Sequence, residues 1–399
     1  MDSTATSRDN PPVPDHPSLG RGRRAATVLR RAVAALLALA IVALVAAGWY
    51  FSELLIRPTP NEPREAGLVV SALDDSTITL SGSQVARAGR TWFLEWPGGF
   101  GVVGELISSD EAHVTRRFRA LEGRRAAGDR VDLRPYLYSG DPLSAHGLPF
   151  EQALVGTKLG SFPAWLVPGP RSTWVVLVHG MKAGPGEALR LLPAVNALGF
   201  PSLTITYRND PGAPRAPGGQ FHLGATEWED LEAGVRYALQ RGARRVVLAA
   251  YSMGGAMVAE FMRRSALADS VAGVVLDSPV LDWSAVVALG ARKEGGLAPY
   301  LAPLAKGFVS LRTGFRWADS GEQAWSLQFR RPVPVLLFHG TADGTAPIAI
   351  SEAFARALGE RVTLVKTEGA GHIQSWNFGP ERYETVLERW LAEVLRDSS

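Results

Sequence analysis

The chain has 399 residues, 46% hydrophobic and 20% charged, which is ordinary for a globular protein and excludes a wholly disordered or collagen-like chain. It has no cysteine, which excludes a disulfide framework, a Cys nucleophile, an iron–sulfur cluster and a Cys-ligated zinc site. The net charge is +3, and residues 1–57 account for it with seven Arg against four acids, leaving 35 basic and 35 acidic residues in a neutral body that does not suit nucleic acid.

Residues 1–20 are rich in Ser, Pro and Asp and read as the start of a disordered basic tail over 1–31, which carries Arg21, Arg23, Arg24, Arg30 and Arg31. From Ala32 to Phe51 no residue is charged. Twenty residues at 1.5 Å each give about 30 Å, the hydrocarbon thickness of a bilayer. Trp49 and Tyr50 stand at the far end, where aromatic side chains favour the interface. Residues 32–52 are therefore expected to be a transmembrane signal anchor. Five Arg before the span, against Arg57 and Arg64 closely after it, place the N-terminus in the cytoplasm and the rest of a single-pass protein outside. A cleaved signal peptide would have a shorter hydrophobic region, and a buried core helix would show a polar face.

Residues 58–150 read as a β-rich N-terminal segment. Val69–Val70, Thr77–Leu80 and Trp92–Trp96 are short β-favouring pieces between Gly, Asp and Ser. Gly99-Phe-Gly101-Val-Val-Gly104 matches a dinucleotide fingerprint in spacing alone. No βαβ unit surrounds it and no amphipathic helix follows, so glycines of a hairpin or small barrel explain it better.

From about residue 151 to 396 the rhythm changes. Strands are expected at Pro163–Val167 (an edge), Thr173–Val178, Ser202–Tyr207, Arg245–Ala250, Val271–Asp277, Val333–His339 and Val362–Thr367. Helices are expected at Glu187–Leu198, Thr226–Arg241, Gly254–Arg264, Ser351–Leu358 and Glu381–Leu395. Apolar strands alternating with helices signal a mostly parallel sheet with helices on both faces. Residues 281–330, rich in Gly, Pro and Trp, break the rhythm as a cap or insertion.

The chemistry-bearing residues sit in the loops. Ala250-Tyr251-Ser252-Met253-Gly254-Gly255 joins a strand to a helix, and a serine in so tight a turn projects its hydroxyl above the sheet edge. The helix amino terminus behind it favours negative charge. A serine needs a base and an orienting group to become nucleophilic. Of seven histidines, only His372 follows the last strand, in Gly369-Ala-Gly371-His372; His16 lies in the tail, and His179 and His339 each end an apolar strand. Asp343, in the loop after an intervening strand, is the candidate acid, and Asp277, ending a strand at the same edge, is its rival. His179 reads as structural, and His222 as structural or lining a pocket. No H-E-x-x-H or clustered His/Asp spacing argues for a metal, and no cofactor is expected. The long Pro- and Gly-bearing loop from Arg208 to Gly224 follows a strand near the same edge, so it and the cap are expected to shape the pocket.

With His179-Gly180-Met181, the Ser252 elbow, the Asp343 loop and His372 in this order, the chain from about 150 to 395 resembles the α/β-hydrolase superfamily, in particular ABHD-like bacterial serine hydrolases related to prolyl oligopeptidase. Ala250 departs from the first glycine of the family's elbow. The resemblance implies an α/β-hydrolase fold and a serine esterase acting through an acyl-enzyme. In that reading Ser252 is the nucleophile, His372 the base, Asp343 its orienting acid, and the backbone N–H groups of Met181 and Met253 the oxyanion hole. The substrate is then a small-molecule or lipid ester. A serine peptidase or thioesterase of the same fold, or a non-catalytic envelope binding protein, are the alternatives. The resemblance does not reach residues 58–150.

Overall fold

The computed structural model describes residues 19–58, 67–82, 89, 91–134, 138, 140–329 and 331–396. The start of the expected tail, with His16, lies outside the described residues, as does Arg64. The first element is a 38-residue helix, α1 (Leu19–Ile56), which contains the whole uncharged run. Residues 19–31, read from sequence as tail, are its opening turns. Arg, Ala and Leu are strong helix formers, and no Pro or turn separates them from the apolar run. At its other end α1 continues to Ile56, where the Phe221 amide donates to the Ile56 carbonyl at 2.8 Å.

Six antiparallel strands follow: β1 (Leu68–Leu73), β2 (Thr77–Gly82), β3 (Trp92–Trp96), β4 (Gly99–Ser109), β5 (His113–Glu122) and β6 (Arg130–Arg134). They close into a barrel of order β1-β2-β5-β4-β3-β6, which leaves no free sheet edge. Inward positions alternate along the strands: Leu68 and Val70, Ile78 and Leu80, and Leu94 with the flanking Trp92 and Trp96 form one apolar core. The glycine-spaced motif lies in β4. A Cβ on Gly101 would stand 2.7 Å from the Arg119 carbonyl oxygen, and register shifts bracket this stretch. Close strand approach, and not phosphate binding, accounts for that glycine.

After the short α2 (Pro142–His146), capped by Asp141, the chain builds an eight-stranded sheet. Its strands are β7 (Glu151–Thr157), β8 (Gly160–Val167), β9 (Thr173–Val178), β10 (Ser202–Ile205), β11 (Arg245–Tyr251), β12 (Val271–Asp277), β13 (Val335–Gly340) and β14 (Val362–Thr367). The order is β14-β13-β12-β11-β9-β10-β8-β7. All neighbours from β14 to β10 run parallel, and β8 and β7 add antiparallel pairs. The expected edge strand, β8, is one place in from the edge. β7 covers it, an exposed–buried alternating strand too polar to announce itself as apolar sheet.

Helices cover both faces: α3 (Leu192–Ala197), α4 (Trp228–Gln240), α5 (Met253–Arg264), α6 (Trp283–Glu294), α7 (Ala298–Thr313), α8 (Glu322–Gln328), α9 (Ile348–Leu358), α10 (Ser375–Phe378) and α11 (Pro380–Arg396). The strands β9, β11 and β12 contribute to an apolar cluster on each side, which is why they read as unbroken apolar runs. The helix expected over 187–198 is two pieces, a 3₁₀ turn at Pro185–Arg190 and then α3. Pro193 has no N–H to continue a single helix across Leu191. The anticipated insertion is α6, α7 and α8, placed between β12 and β13.

The barrel docks on the sheet domain through α10. Phe93 of β3 stacks with Trp376 at 6.1 Å between ring centroids. The Thr91 amide donates to the Asn377 carbonyl at 3.0 Å, and the Asn377 side-chain amide donates to the Thr91 carbonyl at 2.8 Å.

Candidate active site

The carboxyl edge of the parallel sheet carries the site. Among the described residues six non-glycine positions have positive φ: Lys182, Asn209, Leu223, Ser252, Ser278 and Ile373. All six fall in loops leaving the carboxyl ends of β9, β10, β11, β12 and β14. Backbone held this way costs about 1–3 kcal/mol per residue and persists only where surrounding contacts over-determine it.

Ser252 lies between β11 and α5 with φ 49° and ψ −117°. Its backbone is pinned on both sides: its amide donates to the Asp277 carbonyl at 3.1 Å, and its carbonyl accepts from Val280 and Gly255, both at 2.9 Å. Ala250, at the position where the family has glycine, is buried with its methyl in the sheet core, so the elbow closes without that glycine. Gly180 after β9 runs directly against the serine. A Cβ there would stand 2.9 Å from the Ser252 Cβ, so only glycine lets the loop approach.

The Ser252 hydroxyl lies 2.9 Å from His372 Nε2, and His372 Nδ1 lies 2.8 Å from Asp343 Oδ2. The structure thus brings Ser252, His372 and Asp343, distant in sequence, into one hydrogen-bond chain. The loops bearing the last two are tied together. Thr341 and Ala342 donate backbone bonds of 2.9 Å to Thr367 and Ala370, and Gly369 donates to the Thr341 hydroxyl at 2.9 Å. The Ile373 amide donates to Ser278 Oγ at 3.0 Å, and Arg190 donates to the Ile373 carbonyl at 2.8 Å, so the residue after His372 is held from both sides.

Asp343 is buried, and its other oxygen accepts the amides of Thr345 and Ala346 at 2.8 and 2.9 Å. Burial pushes its carboxyl up, but the bonds and charges of His339 and His372 outweigh burial and hold it well below the usual carboxylate range. Asp277 stands outside this chain. Its Oδ2 accepts from the Tyr383 hydroxyl at 3.1 Å, and burial pushes its carboxyl up against the partial relief of the Arg190 charge.

Met253 opens α5, where the first amides have no carbonyl one turn behind them. Met181 follows Gly180 in the loop lying against Ser252. Sequence reasoning missed what holds that loop. Glu187, fully buried, accepts the Gly180 amide at 2.7 Å, and burial pushes its carboxyl up. His179 is also fully buried: Nε2 donates to Asp210 at 2.8 Å, Nδ1 lies 3.0 Å from the Gly184 amide, and the ring stacks on Tyr207 at 4.4 Å. It joins the Gly180–Gly184 loop to the long loop after β10. No local motif marks Glu187 or Asp210; only the folded loops bring Glu187 to Gly180 and Asp210 to His179. His222 is half-buried, and its amide donates to Glu227 at 2.7 Å; it makes no bond to the Ser252–His372–Asp343 chain. Among the described residues no group of His and acidic side chains has the arrangement of a metal site.

A hydroxyl, an imidazole and a buried carboxylate at these distances can deprotonate the hydroxyl as it attacks a carbonyl carbon. The chain belongs to the alpha/beta hydrolase family, whose sequence profile matches residues 175–386. A second profile, of a domain of unknown function (DUF8805), matches residues 69–134, the barrel. No curated protein matches the chain in sequence. Among solved structures the fold is similar to that of the Pyrococcus furiosus esterase Pf2001 in two crystal forms. One is 16% identical, covering 65% of this chain and 98% of that one with a TM-score of 0.51. The other is 17% identical, covering 65% and 96%, again with a TM-score of 0.51. At such identity the likeness concerns the fold.

Proposed function

We propose that the protein is a membrane-anchored serine hydrolase that cleaves an acyl ester through an acyl-enzyme. The observation that carries this reading is the Ser252–His372–Asp343 hydrogen-bond chain, at 2.9 and 2.8 Å, on a backbone strained at the serine. Ser252 Oγ attacks the ester carbonyl carbon and His372 Nε2 takes its proton. Asp343 holds the Nδ1 proton and stabilises the imidazolium. The tetrahedral oxyanion is received by the amides of Met253 and Met181, each such donor being worth about 10²–10³ in rate. As the intermediate collapses, the alcohol leaves with the proton from His372, and water repeats the sequence to release the acid. The esterase name of the similar Pyrococcus protein favours an ester over an amide or thioester.

The anchor is α1. Ala26–Ile56 has a mean hydropathy of 2.5 over its most apolar window, with only 6% of that window buried against the rest of the chain. An apolar helix left this bare is suited to lipid. In this organisation residues 1–31 are cytoplasmic, 32–52 cross the membrane, and the 58–150 segment and the 151–396 hydrolase domain face outward.

The purified full chain is expected to hydrolyse p-nitrophenyl acetate and Ser252→Ala to lose that activity to the background rate. Equal turnover by the two proteins would remove Ser252 from the mechanism.

A further inference from the structure

The end of α1 is not a free tether. A Cβ on Gly48 would stand 2.6 Å from Leu304 and 2.9 Å from Phe308, so the backbone of α1 lies directly on the side chains of α7. Trp49 meets Phe308 edge-on at 6.0 Å, and the Arg312 guanidinium lies 4.0 Å over the Trp49 ring. Arg312 also donates to the Ser52 hydroxyl at 2.8 Å and pairs with Glu53. The partners advance together along both chains, so α1 and α7 run the same way where they touch.

This contact fixes the height of the cap. Gly48 lies three residues inside the end of the uncharged run, about 5 Å at 1.5 Å per residue. Leu304 and Phe308, which touch it, therefore sit at the boundary of the hydrocarbon. The same helix leaves Leu311 bare, 79% exposed, and Leu297 and Tyr300 at its start are 72% and 80% exposed. Beneath α7 is a cavity of about 290 Å³, walled mainly by apolar side chains such as Phe51, Leu55 and Val286, with Glu294, Gly344 and Thr345 also lining it. Gly344 follows Asp343, so the cavity lies one loop from the Ser252–His372–Asp343 chain.

Resting on the membrane-anchor and hydrolase reading, we propose that the cap helix α7 seats in the outer leaflet beside the end of α1, and that the apolar cavity beneath it receives the acyl chain of a membrane lipid ester. The cap is then a membrane-facing surface, and the substrate reaches the site laterally from the bilayer. Bare Leu297, Tyr300 and Leu311 are covered by lipid, and the cavity suits an alkyl chain because its walls offer that chain little polar competition.

The natural absence of cysteine permits a direct test. Single variants Leu39→Cys on α1, Tyr300→Cys on α7 and Leu106→Cys on the barrel, made in the full chain, are labelled with an environment-sensitive fluorophore. They are reconstituted in phosphatidylcholine–phosphatidylglycerol vesicles containing brominated acyl chains. Quenching of the Leu39 and Tyr300 labels but not of the Leu106 label is expected. Quenching at Leu39 alone would overturn the seating of the cap and leave the anchor standing; quenching at neither would overturn both.

The cavity is tested without relying on turnover, in a Ser252→Ala background, by photolysis with phosphatidylcholine carrying a diazirine-tagged palmitoyl chain. Labelling of peptides from the α6–α7 pair is expected. It should fall by about tenfold when Gly290→Leu fills the cavity, the loss that excluding about two methylenes gives. A Cβ at Gly290 meets nothing within 4 Å, so that side chain has room to enter. No labelling of this pair, or labelling untouched by Gly290→Leu, would overturn the assignment of the cavity to a lipid chain.

Discussion

The closed barrel alternates apolar and polar residues along its strands, the open sheet runs apolar on both faces at its centre, and the two place their chemistry differently. The barrel satisfies its backbone all round, and none of its described non-glycine residues has positive φ. The open sheet gathers at one edge six such residues, a buried acid linked to histidine and a second buried acid linked to Tyr383. The difference shows how a fold locates chemistry. Parallel strands all deliver their loops to one edge, where strain and buried charge can be held by contacts from several loops at once. A closed antiparallel barrel distributes its turns to both ends and has no such edge. Here it packs, through Phe93, onto the helix three residues beyond His372.

The largest expected effect separates the two buried acids at the open edge. Asp343→Asn is expected to lower kcat for p-nitrophenyl acetate by about 10⁴, because the imidazole loses both its oriented tautomer and its charge partner. Asp277→Asn is expected to lower kcat by less than about tenfold and instead to reduce stability, by leaving the buried Arg190 charge without its neighbour. The reverse order in steady-state kinetics would transfer the acid's role to Asp277.

Next in size is the junction between the two regions. Phe93 is 1% exposed, and Phe93→Ala should cost roughly 3–5 kcal/mol in denaturant unfolding of the barrel and its contact. At a temperature where the variant stays folded, kcat should change by less than about tenfold, since Ser278 and Arg190 still hold Ile373. A rate loss as large as that of Asp343→Asn would make the barrel part of the catalytic apparatus.

The smallest expected effect is electrostatic. Burial opposes protonation of His179, but Asp210, helped by the Gly180 carbonyl and Glu187, outweighs it, and the imidazole is raised above its ordinary value of 6.5. A raised histidine stabilises the fold fully below its unfolded value and loses that contribution as pH rises through the folded one. Asp210→Asn should therefore destabilise the protein more at about pH 5.5 than at about pH 9. A deficit that is constant or grows with pH would show that His179 does not titrate against Asp210.

Much of this was legible in the residues. The runs at Thr173–Val178 and Arg245–Ala250 are apolar on both faces because helices cover both sides, so short unbroken apolar runs between helices marked the central strands. Ser252 was legible because a strand-to-helix turn needs small neighbours, and His372 because it alone follows the last strand. The edge strand β7 was not, since its polar face carries no strong strand signal. Nor were Glu187, Asp210 or the docking of α1 on Leu304, Phe308 and Arg312, because Glu187 meets Gly180 only through the fold of the intervening loop and the other partners stand dozens to hundreds of residues away.

The nucleophile is identified directly by labelling with a fluorophosphonate probe followed by peptide mapping, on the wild type, Ser252→Ala and Asp277→Asn. One adduct is expected, on Ser252, present in the wild type and in Asp277→Asn and absent from Ser252→Ala. An adduct on another residue, or undiminished labelling of Ser252→Ala, would contradict it.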